Sequence, residues 1–396
     1  MSIPSYSERI KALHETKLRF NDIKIQRLGS YDFDDHGWIP FDEPIEFEIV
    51  KDPECGLVVG MDAISKTFAN YLDAHPVYIH PMSAFAGAWA GNVPGMGGPW
   101  RPEHVFKEQE PLFEKYNITS RGLYGMNHCG PDLKIGFELG WGGLLEKIRY
   151  YRKYNKPVDT SFYDGEERFV EAIQRWIKRH VDYARQEAMK TDDEFVRKNL
   201  LEIADMNEWL IDNPPRTLRE AMQFICWFQC VDRMYFNGGA GGEIDKLLYP
   251  YYEADKEKGI IKDDEEVVWY LASMFFNDTH YWQIGGQNPA DGSDASNPIS
   301  FLVLEAMHRL KIPANVALRV HENTNEELFD KAIEYLFEDG TGVSFSCSGG
   351  LDKGFARNGF PLALARMRAK VGCNWTALPG IEYCLQDVTR VCLAKP

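Results

Sequence analysis

The chain has no surplus of basic charge to offer a polyanion: 60 acidic residues stand against 44 Lys and Arg, for a formal charge of −16. Nucleic acid and anionic membrane both need a basic face, so neither is expected as a main partner, and a small molecule or another protein fits better. No apolar run approaches the roughly 20 residues that a membrane-spanning helix requires. Residues 1–10 turn polar at once, without the apolar core of a signal peptide. The cytosol is the expected location. Cys-x-x-Cys pairs are missing too: the eight cysteines, at 55, 129, 226, 230, 347, 373, 384 and 392, are scattered and read as reduced thiols. Cys226 and Cys230 stand at i, i+4 without a nearby His, so they read as small apolar residues on a buried helix face, and no metal site is expected. The glycine cluster at Phe236-Asn-Gly-Gly-Ala-Gly-Gly-Glu-Ile-Asp245 lacks the Lys and Ser/Thr of a phosphate-binding loop. There is no internal repeat and no low-complexity segment.

What is present is enough apolar residue, 44%, for one very large domain or two ordinary ones. Residues 1 to about 160 read as irregular, rich in Gly, Pro and aromatics, with 86–100 the extreme case, and are expected to wrap over a helical core. From about 165 a helical period is clear, because Phe169, Ile173, Trp176, Ile177, His180 and Ala184 share one face. Thr217 and Glu220 have capping-box spacing before the apolar stretch 222–228, which predicts a deeply buried helix. Further on, 263–276 reads as helix, Asn297-Pro298 opens another, and Val316, Leu318 and Val320 alternate as a strand. Thr324 with Glu327 is expected to cap the next helix, Val343–Cys347 reads as strand, and helix is expected from about Pro361 to Lys370. Strands alternating with helices predict parallel pairing. Arg319 and His321 close one strand, and one of them is expected to face inward.

Val371-Gly-Cys-Asn-Trp-Thr-Ala-Leu-Pro-Gly380 puts Cys373 on a glycine-flanked loop, expected between two helical stretches. By itself this loop fits either a substrate-facing thiol or a buried structural one. Together with Ile312–Thr324 and Glu243–Tyr252 it resembles the glycyl radical enzymes, the pyruvate formate-lyase and glycerol dehydratase family. The resemblance covers roughly residues 120–396 and only the N-terminal half of that family. It implies an α/β fold that is half of a ten-stranded β/α barrel, surrounded by helices, with the cysteine loop inside. The whole of 1–396 would be the N-terminal part of a pyruvate formate-lyase-like domain, with about 1–160 as the wrapping segment and 161–396 as helices and first half-barrel. The C-terminal glycyl radical domain is expected to be absent from these residues.

The implied activity is that of a radical lyase or dehydratase. Cys373, carried as a thiyl radical, would take a hydrogen atom from a small organic substrate so that a C–C or C–heteroatom bond breaks; Cys347 is expected in the core or lining the cavity. No Arg-Val-x-Gly-type motif follows Cys373. The radical is therefore expected from a C-terminal half, either a second polypeptide or the remainder of a longer chain, installed by an S-adenosylmethionine iron–sulfur activase, with no cofactor bound directly. An open half-barrel is expected to associate into oligomers.

The resemblance also assigns residues, with departures. Many members carry a general-base glutamate where this chain has Trp375, whose apolar face would dry the site or stack on substrate. Glu382 is then a possible base. Asp387, fourteen positions past the cysteine, falls where dehydratase-like members bind a substrate hydroxyl, and Pro379-Gly380 matches theirs; it also fits a solvated helix carboxylate. Asn237 and Gly238 stand where dehydratases carry a His-Ser pair, which implies a different, bulkier substrate. His128, in Asn127-His-Cys-Gly-Pro-Asp132, matches a segment near the family's cavity, or is structural. Two alternatives remain: a formate C-acetyltransferase-like enzyme, although those use two adjacent cysteines and residue 374 is Asn, and a catalytically silent scaffold.

Overall fold

The computed structural model describes residues 3–29, 38–91, 93, 107–116, 126–235, 241–279, 281–312, 314–340, 343–372 and 375–386. Helix α1 (Tyr6–Leu28) opens with a capping box, in which Ser5 accepts from the Glu8 amide and the Glu8 carboxylate accepts from the Ser5 amide. A short helix, α3 (Glu110–Lys115), stays exposed, and three others, α2 (Met61–Ala74), α4 (Leu133–Asn155) and α6 (Glu194–Leu210), pack on the 30-residue α5 (Ser161–Lys190). The period read along α5 is the buried face: Ile173, Trp176, Ile177, His180 and Ala184 are all inside, with Phe169 half-buried beside them. The predicted deep helix is α7 (Leu218–Met234), where Thr217 accepts from the Glu220 amide at 3.2 Å. The Glu220 carboxylate turns instead to the Arg216 amide at 2.6 Å and to its guanidinium.

The first 160 residues are not the irregular segment expected, since α1, α2 and α4 all lie in them. Two glycines of α4 that made this region look loop-like are places of close approach. At Gly136 a Cβ would stand 2.5 Å from the Phe224 ring, and at Gly140 (φ +63°) it would meet the Asn213 backbone at 2.3 Å. Gly140 kinks α4 around that backbone.

Four parallel strands form a sheet in chain order: β2 (Gly242–Glu243), β3 (Trp282–Gly285), β4 (Val316–Val320) and β5 (Val343–Cys347). A short strand, β1 (Met126–Cys129), lies apart from it. Helices α8 (Ile244–Glu257) and α9 (Asp264–Asn277) link β2 to β3, α10 (Pro298–Leu310) links β3 to β4, and α11 (Glu326–Asp339) links β4 to β5. Because registered neighbours share a face, the sheet has two chemically distinct sides. Trp282, Val316 and Val343 form one apolar row, Ile284, Leu318 and Phe345 the next. These meet the helices: Trp282 lies 6.2 Å from Phe275 of α9, and Phe345 lies 5.7 Å from Phe329 of α11, centroid to centroid. The other side carries Glu243, Gln283, Ala317 and Ser344 in register, then Gly285, Arg319 and Ser346.

Helix α11 is capped by Asn325, which accepts from the Leu328 amide at 3.1 Å, rather than by Thr324, whose hydroxyl accepts from the His321 amide at 2.7 Å. After β5 come α12 (Ser348–Arg357) and α13 (Leu362–Arg366). The helix expected to run to Lys370 stops at Arg366, because the carbonyls of 365, 366 and 368 are taken by Arg319. Among the described residues no helix is long and apolar enough to cross a membrane.

Candidate active site

Chain reversal at the cysteine is a β-hairpin, where a loop between helices was expected. Strand β6 (Ala369–Val371) pairs antiparallel with β7 (Trp375–Ala377), with Val371 opposite Trp375 and Lys370 opposite Thr376. Cys373 and Asn374 lie outside the described residues; Gly372, which leads into them, has φ +62°. Val371 and Ala377 form a small apolar cluster of their own. Polar contacts also seat the hairpin. The Lys370 amide donates to Gln283 Oε1 at 2.7 Å and Lys370 Nζ donates to Ser344 Oγ at 2.7 Å, both on the polar face of the sheet. Gln283 Nε2 in turn donates to Glu243 Oε1 at 3.2 Å, and Glu243 pairs with Lys246.

Arg368, just before β6, ties both arms together. It donates to the Thr376 carbonyl at 3.2 Å and pairs with Glu382 at 2.6 Å, with its guanidinium 3.7 Å from the Phe355 ring centroid. Glu382 also accepts from the Leu378 amide at 3.1 Å. The residue expected as a possible base is thus held at the foot of the hairpin by an arginine and a backbone amide. Pro379 and Gly380 occupy the centre of a tight turn closed by the Ile381 amide on the Leu378 carbonyl at 3.0 Å, and Gly380 has φ +71°, the conformation a type II turn needs at that position.

That turn docks the 126–132 segment. The Gly380 amide donates to the Gly130 carbonyl at 2.7 Å, and β1 pairs antiparallel with β8 (Tyr383–Gln386), placing His128 opposite Cys384 and Met126 opposite Gln386. The His128 segment is therefore brought to the chain that leaves the hairpin. Asp387 follows Gln386 outside the described residues, as do Asn237 and Gly238, which precede β2. Trp375 opens β7. Cys347, expected in the core or cavity, is exposed at the end of β5, and no strand pairs with the outer edge of β5 among the described residues.

Asp245 is fully buried, and burial raises its carboxyl to about 6, against the opposing pull of the Ser300 hydroxyl at 2.5 Å and the Gly285 amide at 2.7 Å. It locks the start of α8 to the end of β3 and the first turn of α10, while Glu243, two residues earlier, joins the polar face. Cys226 and Cys230 are buried in α7 and burial pushes both thiols well up, so they stay protonated packing residues. Among the described residues no three His, Cys, Asp or Glu side chains gather as a metal site. Sequence reasoning passed over Gln283, Ser344, Lys370 and Arg368. The available signal was polarity inside strands otherwise buried, since a buried charge must be paired.

The family model described as pyruvate formate lyase-like matches residues 103–396. Among curated proteins, an isethionate sulfite-lyase of Bilophila wadsworthia is 28% identical over 241 residues, covering 53% of this chain and 29% of that protein. A probable dehydratase of Escherichia coli, YbiW, is 28% identical over 297 residues, covering 67% of this chain and 36% of that one. Among solved structures, the glycerol-bound B12-independent glycerol dehydratase from Clostridium butyricum superposes with a TM-score of 0.73 at 17% identity, covering 96% of this chain and 56% of that one. A glycyl radical enzyme from Archaeoglobus fulgidus gives 0.71 at 18% identity, covering 93% and 55%. The fold is thus that of part of a glycyl radical enzyme barrel. The chain spans about a third of the length of the curated relatives and a little over half of the solved ones.

Proposed function

The chain belongs to the pyruvate formate lyase-like family, and from that premise we propose that it is the thiyl-bearing part of a glycyl radical lyase or dehydratase acting on a small organic substrate. The observation that carries the reading is the hairpin whose turn contains Cys373, seated by Lys370 on the polar side of a parallel sheet whose other side is packed against helices. In this reading the Cys373 thiyl takes a hydrogen atom from a substrate C–H bond and becomes a thiol. The carbon radical left behind expels a group from the adjacent carbon, and the thiol returns a hydrogen atom to the product radical. A radical has to be supplied, since no ordinary acid or base breaks an unactivated C–H bond at neutral pH.

The supply is a backbone glycyl radical on a C-terminal half, joined to this chain or separate, installed by an S-adenosylmethionine iron–sulfur activase. The exposed edge of β5, with Phe345 40% exposed on it, supports a surface on which such a half would add. The setting would be a reducing, anaerobic cytosol. Trp375 in place of a glutamate, and Glu382 engaged by Arg368, argue that any proton removal falls to a group other than these two. Asp387, Asn237, Gly238, Trp375 and His128 are proposed as the substrate-facing set. Their chemistry favours a substrate bulkier than a simple diol.

Anaerobic reconstitution of this chain with the rest of the fold and the activase tests the reading. A glycyl radical signal by electron paramagnetic resonance, with turnover of a candidate substrate that stops on exposure to air, is the expected result. Turnover that is indifferent to oxygen and to the activase would refute it.

A further inference from the structure

We infer that Arg319 is a positioning residue for the Cys373 hairpin, an inference that rests on Cys373 being the reacting group. The Arg319 side chain is 2% exposed and all five of its N–H groups are used. Nε donates to Ser348 Oγ at 2.7 Å. Nη1 donates to the carbonyls of Arg366, at 3.1 Å, and Arg368, and Nη2 donates to Asp352 Oδ1 at 2.6 Å and the Ala365 carbonyl at 3.2 Å. Three of its bonds thus end on backbone carbonyls where α13 gives way to β6, groups that a helix terminus otherwise leaves without partners. Room for the side chain comes from Gly286 (φ +89°), where a Cβ would stand 3.3 Å from Arg319 Cδ.

A buried arginine is a poor choice for stability alone, since an apolar side chain of similar size often does as well. What the guanidinium adds is direction: a planar fork fixes carbonyls in one orientation, whereas apolar contacts tolerate sliding. The hairpin needs that direction, because among the described residues its own apolar cluster is small, Val371 with Ala377. Arg319 sets the root, and Arg368 carries the constraint on to Thr376 and Glu382. At a strand rise of about 3.3 Å per residue, the four steps from 368 to Gly372 make a lever of up to about 13 Å, so a tilt of roughly 4° moves its end by about 1 Å. A misplacement of that size costs on the order of 100-fold in rate when reactants must be held in line.

Arg319→Lys keeps the charge beside Asp352 but cannot span the carbonyls. Arg319→Met, which strands Asp352, serves only as a folding control. In the reconstituted enzyme, Arg319→Lys should raise amide hydrogen exchange at 369–371 and 375–377 by at least about tenfold, leave α7 unchanged, and lower kcat by about 100-fold with KM within about threefold. Unchanged exchange at the hairpin, or exchange rising equally in α7, would overturn the inference. The exchange arm does not depend on radical chemistry. A loosened hairpin in Arg319→Lys, combined with full turnover in Cys373→Ser, would therefore overturn the functional reading while leaving the mechanical link intact.

Discussion

The helical body and the cysteine hairpin are held by opposite means. In the body, Trp176, Trp227, Phe275 and Phe276 are fully buried, and Trp227 lies 4.9 Å from Trp176 and 4.8 Å from His180, centroid to centroid. In the hairpin, Arg319, Arg368 and Lys370 bind carbonyls, an amide oxygen, a carboxylate and a hydroxyl across the sheet's polar face. Apolar burial is strong and non-directional, so it makes a stable scaffold without fixing any one angle. Hydrogen bonds contribute little net stability each but fix geometry, so they suit a segment that must present one group at one place.

If the two regions are separable, changes in the body should register as stability and changes in the hairpin as geometry and rate. The largest effect expected is on the body, from acid. Burial lowers His75 and His80 to about 4 and His180 to about 3. His180 Nδ1 donates to the Trp176 carbonyl at 2.9 Å while Nε2 accepts from the Tyr78 amide at 3.4 Å, an arrangement only the neutral ring can make. The unfolded chain takes up these protons near 6.5 and the folded one does not. The stabilisation is thus complete above 6.5 and is lost as pH falls toward 4. Between pH 7.5 and pH 5 each ring should cost about 2 kcal/mol, read as a lower denaturant midpoint; an unchanged midpoint would show that the rings are not neutral in the fold.

Next in size is Trp227→Ala. It removes a fully buried ring and the indole N–H that donates to Asn207 Oδ1 at 2.6 Å, so unfolding free energy should drop by about 3–5 kcal/mol. Asp245, at the junction of the two regions, titrates in the opposite sense to the histidines. Its folded carboxyl, near 6, lies above the ordinary 3.8, so the fold is favoured at low pH and loses that advantage as pH rises through 6. Relative to the parent, Asp245→Asn should therefore gain about 1.4 kcal/mol on going from pH 5 to pH 7.5. A gap independent of pH would mean that the carboxyl does not titrate there. The smallest stability effect belongs to the hairpin. Glu382→Gln keeps an acceptor for Arg368 and should cost only about 1 kcal/mol with turnover within about tenfold, whereas abolished turnover on an intact fold would reinstate Glu382 as the base.

Much of the body could be read from sequence, because long helices repeat their pattern: the α5 face and the caps at Thr217 and Asn297 stand where the period and the cap chemistry place them. The parallel strands β4 and β5 were legible for the same reason. The hairpin was not. Strands of three residues are too short to show an alternation, and their partners are far away in the chain, with Gln283 bonded to Lys370 and Arg319 to the 366 and 368 carbonyls. The pairing of β1 with β8 likewise joins segments more than 250 residues apart, which no local pattern reports. Glycines deceived in the other direction, since Gly136 and Gly140 of α4 mark contact with Phe224 and with the Asn213 backbone rather than a loop.

The most direct measurement is turnover by Cys373→Ser in the anaerobic, activase-treated enzyme, beside Cys226→Ser as a control in the packed body. Exchanging sulfur for oxygen at the hairpin should leave the melting temperature and the glycyl radical signal in place. Turnover should nevertheless vanish in Cys373→Ser alone, because an O–H bond is too strong to exchange hydrogen with a substrate C–H. Measurable turnover in Cys373→Ser would contradict the assignment of Cys373 as the hydrogen-atom carrier.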